Sequence, residues 1–220
     1  MMSEGGHYDL AWMLWRLFGA GLFLVLALPL LALCFMFFRR FRRSLQPLAS
    51  AVGGELERDP VGDWVLDFDY EGRSCRVAWR PAQRSFPERV TVAMAAGPRF
   101  NFIVRQEGLL GKLGKKIGWM EDFELGEPDF DRKHLISVSA AAPARAYFAD
   151  PERRLALAYF FEHGFQEVRG EDGEVIAVKE VRRPDLGPLA LIAELRRGHP
   201  ELRPEVVRER LHHLRKLGPA

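Results

Sequence analysis

Cysteine is scarce in this sequence, and its placement excludes two common roles of the residue. Only two cysteines occur in 220 residues. Cys34 lies in an apolar stretch and Cys75 lies in a predicted strand, so they are not expected to pair. A disulfide scaffold requires an even framework of cysteines, and a zinc site requires clustered ligands. The sequence has neither, which is typical of a domain exposed to a reducing cytosol.

Recognisable catalytic signatures are also lacking. The chain has no HExxH helix, which would bind zinc, and no GxSxG turn, which would carry a nucleophilic serine. The glycine-rich stretch 108–120, GLLGKLGKKIGWM, fails as a phosphate-binding P-loop, because Leu113 stands where the second glycine is required and no Ser or Thr follows its lysines. We therefore expect no cofactor and no metal, and the sequence favours a protein that is not an enzyme.

Charge of one sign is not in excess. Lys and Arg number 32 against 30 Asp and Glu, which gives a formal net charge of +2. A nucleic-acid-binding domain more often shows a broad basic excess in its folded part, so nucleic acid is not expected as a partner. The clearest basic cluster follows an apolar run and consists of Arg39, Arg40, Arg42 and Arg43.

That apolar run is the strongest feature of the sequence. Residues 17–38 read LFGAGLFLVLALPLLALCFMFF, without a charge. As an α-helix they would extend roughly 33 Å at about 1.5 Å per residue, which matches the hydrocarbon core of a bilayer. A cleaved signal peptide is rejected because acidic residues precede the run, the run is too long and arginines follow it. The positive-inside rule predicts a single-pass protein of the bacterial inner membrane, with its N-terminus outside and its C-terminal domain in the cytoplasm.

The remaining sequence predicts an α+β fold. Alternating apolar and polar residues indicate a mostly antiparallel sheet, and Asp150-Pro151-Glu152 is typical of a helix start, with an N-cap acid and a proline in the first turn. Covering helices and a C-terminal helical pair, 188–197 and 204–217, complete the expected architecture. The predicted strands are 64–70, 74–79, 89–96 and 99–105, which form a meander, followed by 133–139, 165–169 and 174–181.

The predicted organisation has five parts. A short extracytoplasmic N-terminus precedes the transmembrane helix, and a basic juxtamembrane segment with a short helix follows it. The α+β domain comes next, and a C-terminal helical hairpin ends the chain. In chain order, these parts are 1–16, 17–38, 39–53, 54–183 and 184–220.

Two stretches resemble a pattern in uncharacterised bacterial single-pass membrane-anchored proteins. From residue 127 the chain reads EPDFDRKHLISVSAAAPARAYFADPERRLALAYFF, in which a Phe-Asp-Arg turn precedes a strand and an Asp-Pro pair starts a helix. Upstream, DFDYEGRSCRVAW is similar to their Gly-Arg hairpin. The likeness covers about residues 45–181 and implies the same architecture. Those families have no established activity, so the resemblance implies no catalytic residue.

One cluster has the residue types of an acid–base or metal site. Asp129, Asp131 and His134 form a D-x-D-x-x-H pattern, in which two carboxylates and an imidazole could converge on a cation or a substrate. A membrane-anchored hydrolase is the function that this cluster would imply. The alternative is structural, because aspartates beside proline and at strand starts commonly form turns.

Two further segments suggest contacts. In 108–120, the residues Lys112, Lys115, Lys116 and Trp119 suit anionic lipid headgroups, although a flexible cationic loop has the same composition. On the last helix, Val207, Leu211 and Leu214 form a narrow apolar seam that could dock a protein partner or a second copy of the chain.

The function that the sequence favours is a membrane-tethered cytoplasmic interaction or accessory domain without catalytic activity. Its partners would be membrane lipid and a protein bound through the C-terminal helices. The hydrolase and an anionic-lipid sensor acting through 108–120 are the alternatives.

Overall fold

The structure of the chain, a computed structural model, divides into two units. One unit is Met1–Ser44 and the other is Leu45–Ala220. The residues that the structure describes are 15–16, 23, 25, 27–29, 31–32, 42, 45–82, 86–106, 123–126, 128–181 and 199–218.

In the first unit, the described part of the apolar run is helical. Four large apolar side chains in it, Phe23, Val25, Leu28 and Leu31, are 60–72% exposed. Nowhere in the described ranges is a helix both long enough and apolar enough to cross a bilayer. Most of the segment 17–38 lies outside the described residues, so the spanning helix stays a prediction.

An eight-stranded antiparallel sheet forms the frame of the second unit, with several helices. Its strand order is β1-β2-β3-β4-β8-β7-β5-β6. The predicted α+β class with a mostly antiparallel sheet is thereby confirmed. The strands are β1 (Glu55–Arg58), β2 (Trp64–Tyr70), β3 (Arg73–Arg80), β4 (Glu88–Met94), β5 (Phe102–Gln106), β6 (His134–Val138), β7 (Glu167–Glu171) and β8 (Glu174–Val181).

Two tight turns set the register of the hairpins β2–β3 and β7–β8. Glu71 and Gly72 have φ values of 53° and 76°, and Asp172 and Gly173 have 52° and 80°. Two successive positive φ values are typical of the type I′ turn, whose twist matches that of the flanking strands. The Asp69 carboxylate braces the first turn by accepting a hydrogen bond from the Gly72 N–H at 2.8 Å. Both predicted turns are confirmed.

The best-signalled helix begins and ends where the sequence predicts. The Asp150 carboxylate accepts a hydrogen bond from the Glu152 N–H at 2.9 Å, Pro151 occupies the first turn, and Gly164 follows the helix with φ of 79°. Cap, proline and glycine together fix both ends. The helices of this unit are α1 (Pro128–Asp131), α2 (Ala141–Phe148), α3 (Pro151–Glu162) and α4 (Pro204–Lys216), a 3₁₀ turn is Pro200–Leu202, and residues 45–52 are also helical.

One face of the sheet, here called the inner face, carries the core. Leu66, Val77 and Val92 lie side by side on it and are at most 3% exposed. The Phe148 ring of α2 meets the Phe102 ring of β5 edge-on, with 5.3 Å between centroids. Helix α4 packs on α3, β4 and β8. The residues between these positions point to the opposite, outer face, which is polar.

The predicted hairpin between 89–96 and 99–105 is wrong. Strand β4 pairs with β3 and β8, and β5 pairs with β6 and β7, so two strands lie between them. Gly97 marks the departure, because its N–H donates to the Gly173 carbonyl at 2.6 Å, and a Cβ there would lie 2.5 Å from the Gly173 carbonyl carbon. Glycine is needed at this position for a close backbone crossing and not for a hairpin turn.

Two elements of the structure were not expected from the sequence. Strand β1 is a short charged edge strand, and α2 buries Ala144, Tyr147 and Phe148 at spacings of three and four residues. The predicted helix 188–197 lies outside the described residues. The other predicted strands and the last helix are confirmed, with ends shifted by one to three residues.

Candidate functional site

The outer face of the sheet holds a concave region of about 510 Å³. Four neighbouring strands, β4, β8, β7 and β5, form it, and we call it the charged concavity. Its charged residues are Arg89, Arg105, Glu167, Arg169 and Glu180. The register places Arg89 directly opposite Glu180, and Arg105 directly opposite Glu167. The rest of the lining consists of Thr91, Gln106, Gln166 and Val178.

Cross-strand ion pairs hold these charged side chains. Arg89 Nη2 donates to Glu180 Oε1 at 3.1 Å, and Arg105 Nε donates to Glu167 Oε2 at 2.6 Å. Arg169 Nη1 lies 3.5 Å from Glu167 Oε1. Pairs that stay partly in water each contribute roughly 0–1 kcal/mol. The pairs therefore orient the guanidinium groups more than they stabilise the fold.

Hydrogen-bond donors are in surplus in the charged concavity. Three arginines against two glutamates leave a local formal charge of 3 − 2 = +1. A guanidinium has five N–H donors, and Arg105 uses only its Nε–H within the described part of the chain. Arg169 Nε is enclosed and has no hydrogen-bond acceptor among the described residues, although Glu171 Oε2 lies 3.5 Å away.

The charged concavity is equipped for binding. Arginine forks and carboxylates make charge-assisted hydrogen bonds, which are among the strongest polar contacts. In the described part of the chain, the lining contains no His, Cys or Ser that could act as a base or a nucleophile. Sequence reasoning missed this site, because its arginines and glutamates meet only through the pairing of β4 with β8 and of β5 with β7. The only sequence signal is charge at alternate positions of these strands.

The predicted acid–base cluster has a structural arrangement. The two carboxylate oxygens of Asp131 accept hydrogen bonds from the N–H groups of Leu125 and Gly126, each at 3.0 Å. Asp131 therefore closes a turn, as the alternative interpretation expects. The side chain of Asp129 lies outside the described part of the structure.

His134 lies on the inner face between two aromatic rings. Its ring centroid is 4.1 Å from that of Phe130 and 4.3 Å from that of Phe161. Its Nδ1–H donates to the Phe130 carbonyl at 2.9 Å. Burial lowers the pKa of His134; Lys133 adds to this, while the Phe130 carbonyl and Asp131 oppose it. These are the contacts of a core histidine, and no group of three or more His, Cys, Asp or Glu among the described side chains could hold a metal ion.

The apolar seam of the last helix belongs to the core. Val207, Leu211 and Leu214 are each 0% exposed, because α4 packs them against α3 and the sheet. This burial excludes them as an exposed docking seam. A helical period identifies an apolar stripe, but it does not show whether the stripe meets a partner or the chain's own sheet. Any partner contact through 188–197 lies outside the described residues.

Buried polar groups fasten the start of the segment 199–218 to the sheet. His199 Nδ1 accepts a hydrogen bond from the Glu201 N–H at 3.1 Å, so its Nε2 carries the proton and donates to the Glu88 carboxylate. Glu88 also accepts a hydrogen bond from Trp79 Nε1–H at 2.7 Å. Both Glu88 and His199 are buried. A buried carboxylate needs such donors to compensate for its lost hydration.

A second polar cluster continues from Glu201. Its carboxylate accepts hydrogen bonds from Lys179 Nζ at 2.9 Å and from Arg210 Nη2. Burial acts to raise the pKa of Glu201, but Lys179 and Arg210 outweigh burial, and the pKa is lowered. Glu201 therefore stays ionised and connects the 3₁₀ turn, α4 and β8.

Two predicted groups of basic residues fall almost wholly outside the described part of the chain. Lys112, Lys115, Lys116 and Trp119, the predicted lipid contacts, lie outside it. So do Arg39, Arg40 and Arg43 of the basic cluster, whereas Arg42 is helical and exposed. Their roles stay predictions.

Comparison with known proteins gives little. No protein-family model matches the chain, and no curated protein is similar to it. Among solved structures, the crystal structure of the mycobacterial trehalose monomycolate transport factor A, TtfA, is similar at 15% sequence identity and a TM-score of 0.42. The match covers 81% of this chain and 98% of that one. A likeness of this strength carries no argument about the fold or function of this chain.

Proposed function

We propose that this chain is a membrane-tethered interaction domain that serves as an accessory subunit at the bacterial inner membrane. It performs no chemical step and recognises its partner through the charged concavity. The observation that carries the proposal is that concavity: four strands assemble a polar, concave surface from charged residues distant in sequence, on the face opposite the helices.

The tether is supported by the first unit. Residues 17–38 are uncharged, and the described part of them is helical with large apolar side chains exposed. A helix that exposes such side chains in water would lose the free energy of burying them, about 25 cal/mol per Å² of apolar surface. Lipid would cover them, and the arginines 39–43 would hold the following unit in the cytoplasm.

Recognition on the outer face is supported by the division of roles within the sheet. The inner face is filled by the helices, and the seam of α4 is part of that filling. The partner contact that the sequence assigns to the seam therefore moves to the charged concavity. Its paired charges are geometrically fixed and partly exposed, as is typical of surfaces that use charge for specificity.

Site-specific photocrosslinking in living bacteria tests this. A photoreactive residue at Thr91, inside the charged concavity, is expected to give a discrete crosslinked product. The matched position is Leu155 on α3, which is 70% exposed on the helical side of the domain and is expected to give none. Arg105→Glu should remove the product, whereas Arg76→Glu, on β3 of the same face, should not. Equal products from both positions, or a product unaffected by Arg105→Glu, would contradict the proposal.

The tether has a separate test. Reporters active only in the cytoplasm or only in the periplasm are fused after Ala220. We expect activity from the cytoplasmic reporter and sedimentation of the protein with membranes that resists high salt. A protein that salt releases, or a reporter active in the periplasm, would contradict the proposed placement.

A further inference from the structure

We propose that the charged concavity binds a compact zwitterionic group, in which a phosphate is joined by a short linker to a primary ammonium, as in phosphoethanolamine. This rests on the proposed function, since it names the chemistry that the recognition surface takes. The group could belong to a free small molecule or to a lipid headgroup, and both present the same two charges.

The anionic half of the ligand is matched by arginine donors. Arg105 is half-exposed and contacts Glu167 through Nε alone, so both of its Nη groups are free to donate. Arg169 Nε, enclosed in the same region, has no hydrogen-bond acceptor among the described residues. Guanidinium groups bind phosphate oxygens in pairs through their planar fork. The local formal charge of +1 favours one net negative group over none.

The cationic half is matched by a carboxylate oxygen. Glu180 accepts a hydrogen bond from Arg89 through Oε1, and its Oε2 accepts none from the described residues. Its backbone N–H donates to Gln166 Oε1 at 2.5 Å, which fixes this part of β8 beside the loop before β7. An ammonium has three donors and no acceptor, so a free carboxylate oxygen is its natural partner. A ligand with only an anion would leave Glu180 opposing it.

Size and polarity agree with a small hydrophilic group. A volume of about 510 Å³ lies within the usual range for small-molecule sites, roughly 300–1,000 Å³. Such sites are mostly apolar when their ligands are apolar, whereas this lining is largely charged and amide side chains. Water bridges can complete the contacts of a small polar ligand at little cost.

The test is calorimetric titration of the full chain in a maltoside detergent. The probes are phosphoethanolamine, inorganic phosphate and ethanolamine. We expect phosphoethanolamine to bind more tightly than either single-charge probe. Arg105→Gln and Glu180→Gln should each weaken it about tenfold, as expected for one charge-assisted hydrogen bond. The matched control is Arg76→Gln, whose partner Asp67 lies on the same face outside the charged concavity, and its affinity should equal that of the parent chain.

Two results would overturn the inference. One is equal affinity for phosphate and phosphoethanolamine. The other is a flat titration in protein whose thermal unfolding shows that it is folded. A flat titration with a retained Thr91 crosslink to a protein would assign the surface to a protein segment and reject the zwitterion alone. Loss of the crosslink as well would reject the proposed function.

The two sources of the group are separated in nanodiscs. The full chain is placed in phosphatidylcholine nanodiscs with or without phosphatidylethanolamine, and soluble phosphoethanolamine is titrated. A lower apparent affinity in the presence of phosphatidylethanolamine supports a lipid headgroup as the source. Unchanged affinity supports a free molecule.

Discussion

The two faces of the sheet show how one set of strands separates stability from recognition. On the inner face, neighbouring side chains such as Val90, Val92 and Ala177 are apolar and fully buried. On the outer face, the same strands carry cross-strand ion pairs that remain partly in water. Burial contributes free energy in proportion to apolar area, whereas exposed pairs contribute little. The inner face therefore fixes the fold, and the outer face is free to vary its chemistry.

The largest effect is expected in the core beneath α3. Phe160→Ala removes a fully buried ring that meets Phe165 edge-on, and it should lower the free energy of unfolding by about 3–5 kcal/mol. The measurement is urea unfolding of the full chain followed by tryptophan fluorescence. Leu155→Ala, on the exposed side of the same helix, is the control and should change it little.

The seam of α4 gives the next effect. Leu211→Ala should lower the free energy of unfolding by about 2–5 kcal/mol, because the side chain is part of the core. His212→Ala, next to it and exposed, should be nearly neutral. A docking seam behaves differently, since Leu211→Ala would then weaken partner binding and leave the unfolding midpoint unchanged.

Acid should weaken the inner face. Burial lowers the pKa of His134, and burial together with Lys216 and His212 lowers the pKa of His213. A histidine whose pKa is lowered in the folded state binds protons more readily when unfolded. Stability is then complete above the unfolded pKa, about 6.5, and falls as the pH drops below it.

The measurement is the urea midpoint from about pH 7.5 to about pH 5, since the unfolded imidazole titrates near pH 6.5. His134→Leu should flatten the acid side of this curve, even if it lowers the midpoint at neutral pH by removing the bond to the Phe130 carbonyl. An unchanged slope would show that His134 is not a source of the pH dependence.

The smallest effect belongs to the outer face. Arg76→Gln breaks an exposed pair with Asp67 and should change the free energy of unfolding by less than about 1 kcal/mol. The same urea titration measures it. A loss comparable to that of Leu211→Ala would mean that the outer face also carries stability, and the contrast between the faces would fail.

Local patterns in the sequence predict the elements well. Asp150, Pro151 and Gly164 mark both ends of α3, and the Glu71-Gly72 and Asp172-Gly173 pairs mark the hairpins, because each acts through its own backbone. Sheet order is not local. The pairing of β4 with β8 joins residues about ninety apart, such as Arg89 and Glu180, and no periodicity in the sequence records it.

The candidate site could not be predicted for the same reason. Its charges come from strands whose adjacency is set by tertiary packing, so each arginine looks like an ordinary solvated residue in the sequence. The cluster Asp129, Asp131 and His134 is compact in sequence, yet Asp131 and His134 serve a turn and the core. Proximity along the chain was the wrong guide to shared chemistry.

The helical residues 45–52 have a practical consequence for anyone who shortens the chain. Leu45, Leu48 and Ala49 are at most 4% exposed, and the carbonyl of Ala51 accepts a hydrogen bond from Arg208 at 3.0 Å. A version beginning at residue 54, after this helix, would open a hole in the interior and leave that arginine without its acceptor. Soluble fragments for titration or crystallisation should therefore keep every residue from 45 through 218.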